Sequence, residues 1–220
     1  MKKGKLVGIF LCALCILGSM YYLQRKEPVA DTARCRTITR QPAMEKMDGP
    51  DVTFLRLQEK FWNRMDAVQR RDLLQFVADT EAQRLGIESP AVCARKLEGN
   101  VLGVYSDSDK LITLDLEYMK DSEMDKVLAT VCHECYHAYQ HRLVEVYNRL
   151  EETEKQLMLF RPLAQYAAEF ANYNDGSEDY AAYSAQQCEI DSEAYAAQAV
   201  QEYNARIQAY RESSGLSRQS

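Results

Sequence analysis

The chain has 220 residues, 46% of them hydrophobic and 27% charged, with 9 Gly, 5 Pro, 7 Cys and 3 His. That length accommodates one domain with an extension and a core that needs no disulfide staples, and the low Gly and Pro content excludes collagen-like and low-complexity classes. The net charge of -6 argues against nucleic acid as a partner.

At the N-terminus Lys2, Lys3 and Lys5 precede an uncharged run from Leu6 to Leu23, followed by Gln24, Arg25 and Lys26. Such a run, as a helix rising about 1.5 Å per residue, would be roughly 27 Å long, close to the hydrocarbon thickness of a bilayer. Residues 1–26 are therefore expected to be a membrane anchor or a signal sequence. No small-x-small cleavage site stands near Leu17 to Tyr22, which favours an uncleaved, single-pass anchor with an extracytoplasmic domain. Secretion after signal cleavage is the alternative. Without residues 1–23 the chain carries 24 basic and 33 acidic side chains, a net of -9. Of the Cys residues outside the apolar run (35, 93, 132, 135 and 188), an odd number implies at least one free thiol or an intermolecular bridge.

Residues 27–50, with Pro28, Pro42, Gly49 and Pro50, read as a linker. Residues 51–212 read as the folded domain and 213–220 as a disordered tail. From Asp51 to Leu85 apolar residues recur at helical spacing, predicting one helix broken near Arg70 and Arg71, or two helices ending at Gly86. Period-two alternation then appears at Ala91–Arg95, Val101–Tyr105 and Leu111–Leu116. The last two runs flank a polar Ser-Asp-Ser-Asp-Lys tip, a hairpin signal. This predicts a small antiparallel sheet of two or three strands in an α+β, mostly α, domain. Helical periodicity returns at Ser122, with Asp125 suggesting a capping box, and runs with a break to near Arg161-Pro162. Asn172–Asp179 reads as a loop, and Tyr180 to about Tyr210 as one or two helices.

All three His lie at 133, 137 and 141, within Val-Cys-His-Glu-Cys-Tyr-His-Ala-Tyr-Gln-His. On a helix His133 and His137, four apart, present both imidazoles on one face, as two adjacent positions of a tetrahedral Zn²⁺ require. Glu134, rotated about 100°, can reach a water between metal and substrate without binding the metal. The bland alternative is a pair of core or surface histidines. His141 lies a further turn along and is expected at the surface or behind the ligands. Gln140 and Leu143 occupy the positions where an elongated motif would carry Gly and a third His, so the third ligand should come from elsewhere. Glu189 and Glu193 share a helical face, so that one could bind the metal while the other accepts the spare N–H of a zinc-bound His. Glu169, Glu178 and Asp179 are weaker rivals.

His133-Glu134-Cys-Tyr-His137 followed by Glu189-x-x-Ser-Glu193-x-Tyr-Ala resembles the gluzincin pattern. It is closest to small bacterial zinc peptidases whose downstream helix reads Glu-x-x-Ala-Asp/Asn-x-Phe-Ala. The resemblance covers about residues 99–200, and departs from that pattern at Ser192 and Glu193. It implies a zincin-like fold, Zn²⁺ as cofactor with Glu189 as third ligand, Glu193 behind the ligands, and the Leu111–Leu116 strand as the edge that pairs with a peptide or protein substrate. The expected activity is zinc-dependent peptide hydrolysis, with Glu134 as the catalytic base and proton carrier. Tyr180, Tyr183 and His141 are candidate oxyanion donors. A Cys132–Cys188 disulfide could tie the two site helices together. The alternative from another class is a tethered zinc-binding or interaction domain without activity.

Overall fold

The computed structural model describes residues 50–214. Two short helices, α1 (Pro50–Phe54) and α2 (Glu59–Trp62), flank a 3-10 turn and lead into α3 (Ala67–Leu85). The break expected near Arg70 and Arg71 falls instead before Ala67. There Asp66 accepts from Gln69 N while Gln69 returns a bond to the Asp66 amide, a reciprocal cap that satisfies two otherwise orphaned donors. Arg70 sits inside the helix and buries its guanidinium over the Trp62 ring, donating to the carbonyls of Trp62, Met119 and Lys120. Gly86 ends α3 in the left-handed conformation, φ 68°, as a C-terminal glycine does.

The sheet comprises β1 (Ala91–Arg95), β2 (Gly103–Ser106) and β3 (Leu111–Asp115) in the order β1-β3-β2. β2 and β3 form the expected hairpin, with Lys110 at positive φ in its tip. β1, however, pairs with β3 in parallel, so the sheet is mixed rather than antiparallel. β3 is consequently the central strand and not an edge. Leu111, Ile112, Thr113 and Leu114 are all buried, because a central strand between packed layers is covered on both faces.

Asp115 accepts from Tyr118 N and starts α4 (Leu116–Asp121), a helix that the alternating pattern did not reveal. α5 (Met124–Asn148) follows. Its expected cap by Ser122 does not form; the Met124 amide is taken by the Glu59 carboxylate at 2.9 Å, from 65 residues away. After α6 (Glu152–Lys155) and a 3-10 turn, Arg161-Pro162 begins α7 (Arg161–Ala171) instead of ending a helix, since proline fits the first turn. α8 (Tyr180–Ser184) and α9 (Gln187–Ser213) complete the described chain; the helix runs to Ser213, and residues 215–220 of the expected tail lie outside the described residues.

α5 is the centre of the domain, packed along α9 on one side and against α3, α7 and β2 on others. Its apolar face joins Trp62, Leu73, Leu74, Val77, Ile112, Leu114, Val127, Leu128 and Val131 in one core. Burying each of the larger side chains contributes about 1.5–3 kcal/mol relative to exposure. Behind α5, the buried carboxylate of Glu81 on α3 accepts from the hydroxyls of Tyr195 and Tyr203 on α9, which ties those two helices together.

Among the described residues no helix is long and apolar enough to cross a membrane. The expectation of a single-pass, membrane-anchored protein is corrected accordingly. The run on which it rested, and the linker before Pro50, lie outside the described residues. The expected Cys132–Cys188 disulfide is also corrected: both residues are buried and neither is in a disulfide.

Candidate metal centre

Four residues on α5 make one turn, and the turn from 133 to 137 faces the first turn of α9. His133 and His137 are buried there, with their Nε2 atoms 2.9 Å apart. Glu189 enters from α9, its Oε2 lying 3.3 Å from His133 Nε2 and its Oε1 3.3 Å from His137 Nε2. The ligand atoms of the three residues lie within 4.8 Å of one another, so this buried group could hold a metal ion. In a tetrahedral set with metal–ligand bonds of about 2.0–2.1 Å, ligand atoms stand about 3.3–3.4 Å apart. Each imidazole stands about that edge length from one Glu189 oxygen, His133 from Oε2 and His137 from Oε1, and the His–His separation is somewhat shorter. His141 is not among them.

Burial opposes a positive charge on His137, but the Glu189 carboxylate beside it prevails and raises the imidazole to about 9. Burial likewise opposes charge on Glu189, and the two imidazoles reverse that, holding the carboxyl well below the usual range. The point between the three side chains therefore attracts positive charge, whether it is carried by a proton or a cation. The free thiols of Cys132, Cys135 and Cys188 are pushed up by burial and are poor metal ligands.

Outer partners fix these groups. His137 Nδ1 lies 2.8 Å from Gln140 Oε1, while Gln140 Nε2 donates to the Cys188 carbonyl at 2.9 Å. Ser192 donates to the same carbonyl at 2.8 Å and stands 3.3 Å from His137 Nδ1. Glu189 accepts from Tyr173 OH at 2.5 Å on one oxygen and from Tyr183 OH on the other. Glu193 comes within 3.9 Å of His133 Nδ1, beyond hydrogen-bond range, and that buried nitrogen has no hydrogen-bond partner.

Glu134 is fully buried, with its Oε1 near Gly103 of β2. A Cβ placed on Gly103 would lie 3.6 Å from Glu134 Oε1 and 2.6 Å from Thr130 Cγ2, so only a glycine lets the strand come this close to α5. β2, not β3, is thus the sheet edge beside the site.

Of the three oxyanion candidates, Tyr183 is directed at Glu189 and Tyr180 is 47% exposed. His141, partly buried, stacks on Phe170 with ring centroids 4.1 Å apart and planes 2° from parallel. It is therefore not a surface residue, and it is not a member of the converging ligand group. Sequence reasoning missed Tyr173 and the role of Gln140. Gln140 had one signal, a polar residue on the buried face one turn beyond His137.

No family model, no curated protein and no solved structure matches the chain.

Proposed function

We propose that the chain is a zinc-dependent peptidase with a zincin-like fold, of the gluzincin type its motifs resemble. The observation that carries this reading is the buried convergence of His133, His137 and Glu189, with the Glu134 carboxylate beside them on the same helix. Two imidazoles and one carboxylate are a ligand set suited to zinc with a fourth position open to substrate. A bound zinc would polarise the scissile carbonyl and lower the pKa of a water towards about 7.

The chain's own residues supply the other parts of the reaction. Glu134 accepts the proton of the attacking water and passes it to the leaving amine. Tyr173 and Tyr183 hold the Glu189 carboxylate, and Gln140 orients His137. Burial of the group lowers the local dielectric and strengthens each of these interactions. An extended peptide would run along β2. Asp115 N bonds to Leu102 O at 2.9 Å, so the alternation of an antiparallel ladder turns the peptide groups of Gly103 away from β3. Those groups face the side of β2 on which a substrate strand would add beside Glu134.

The test is a Glu134→Gln protein assayed on a mixed peptide library by mass spectrometry, after metal stripping and zinc restoration. The variant should keep its zinc and lose about 10²–10⁴-fold in hydrolysis. Hydrolysis at the wild-type rate would exclude the proposed role of Glu134, and a wild-type protein that takes up no zinc would exclude the reading itself.

A further inference from the structure

The first turn of α9 carries Glu189 but lacks a cap of its own. The N-terminal amides of a helix have no partner within it, and Gln186 at the cap position spends its side chain elsewhere. Its Oε1 accepts from Asn174 N and its Nε2 donates to Asn174 O, both at 2.9 Å. The amides are taken from outside. Glu169 on α7 places Oε1 2.9 Å from Gln187 N and Oε2 2.9 Å from Cys188 N. A carboxylate here also faces the positive end of a 27-residue helix. The Cys188 peptide is therefore held at both ends, its N–H by Glu169 and its carbonyl by Gln140 and Ser192. Glu189 is the next residue.

We propose that Glu169 is a positioning residue of the metal site: by holding the amides of Gln187 and Cys188 it fixes the turn that presents Glu189 to His133 and His137. The proposal rests on the metal-binding reading above and adds a residue that touches neither metal nor substrate. Without Glu169 the turn loses two hydrogen bonds, and the third ligand loses its fixed distance from the histidines. His133 and His137, on α5, keep theirs.

The test uses the full chain, with Glu169→Ala and Glu169→Gln compared to wild type and to Glu189→Ala. Zinc affinity is read by competition with a chromophoric chelator, coordination by the visible bands of the Co²⁺-substituted protein, and folding by circular dichroism. Glu169→Ala should bind zinc about 10–100-fold more weakly, the range for losing an outer partner of a ligand, with Co²⁺ bands shifted towards those of Glu189→Ala. Glu169→Gln keeps one acceptor oxygen and should fall between; it decides the matter if the alanine variant does not fold. A variant that folds less stably yet binds zinc within twofold of wild type, with an unchanged Co²⁺ spectrum, overturns the proposal and leaves the zinc reading standing. A wild-type protein that binds no zinc, or binds it independently of His133 and His137, overturns both.

Discussion

Gln140 and Cys188, 48 residues apart in sequence, are joined by a hydrogen bond of 2.9 Å from the Gln140 amide nitrogen to the Cys188 carbonyl. A carbonyl can only accept, so the amide must present its nitrogen to Cys188 and its oxygen to His137. In the neutral ring that a bound cation would require, His137 then carries its proton on Nδ1, 2.8 Å from that oxygen, and turns an Nε2 lone pair towards the centre of the site.

One consequence concerns metal affinity. Gln140→Ala removes the acceptor that sets the His137 tautomer and the donor that ties α5 to α9. Zinc binding should weaken about 10–100-fold, with helical content retained. Competition titration checks this, and an unchanged affinity would show that His137 is oriented without Gln140.

The two tyrosines make a different prediction, about stability of the metal-free protein. Hydrogen bonds to a charged group each contribute about 1.5–3 kcal/mol, and Glu189 is too buried for water to replace a lost donor. Tyr173→Phe and Tyr183→Phe should each lower the stability of chelator-treated protein by about 1–3 kcal/mol. The double variant should depart from additivity, because both hydroxyls act on one carboxylate. Urea denaturation followed by circular dichroism measures all three.

The site was legible where its logic is local. His133, Glu134 and His137 lie within five residues, and helical periodicity alone puts the two imidazoles on one face. Glu189 could be suspected because an acid followed at i+4 by another opens a helical stretch. Glu169, Tyr173 and the bond from Gln140 to Cys188 act across 16 to 48 residues of sequence, and no spacing rule encodes those; only the Gln140 contact with His137, three residues away, is local. The fold divides along the same line. Alternation pointed to two or three strands, but strand partners are chosen by tertiary packing, so the central position of β3 and its parallel pairing with β1 were invisible. Ser122 looked like a cap by its neighbours, and a distant carboxylate, Glu59, took the role.

Gly103 yields a prediction that separates packing from chemistry. A methyl group there would meet Thr130 Cγ2 at 2.6 Å and Leu114 Cδ2 at 3.1 Å, so β2 must lift from α5. Gly103→Ala should cost about 1–3 kcal/mol in stability, the range for overpacking a core. It should also reduce peptide hydrolysis while zinc affinity changes little, because the clash lies on the Glu134 side of the helix. Thr130→Ser deletes the offending Cγ2 and keeps the hydroxyl that meets Tyr118 OH and the Lys126 carbonyl. Adding it to Gly103→Ala should recover part of both losses. No recovery would mean that the backbone of β2, rather than this contact, sets the need for glycine.

His141 predicts how stability depends on pH. Burial against Phe170 lowers its pKa to about 4; Asp107 on the hairpin tip opposes the shift, while His137 and Lys110 reinforce it. An unfolded histidine titrates near 6.5, so between the two values the unfolded chain binds the proton that the folded chain refuses. Stability from this group is therefore fully present above about 6.5 and is lost as the pH falls towards 4. From pH 7 to pH 5 the loss should be about 2 kcal/mol. His141→Phe can preserve the stack on Phe170 and has nothing to titrate. Urea unfolding of chelator-treated protein at the two pH values should show the wild type losing about 2 kcal/mol more than the variant. Parallel losses in the two proteins would show that His141 accepts its proton in the folded state as readily as in the unfolded one.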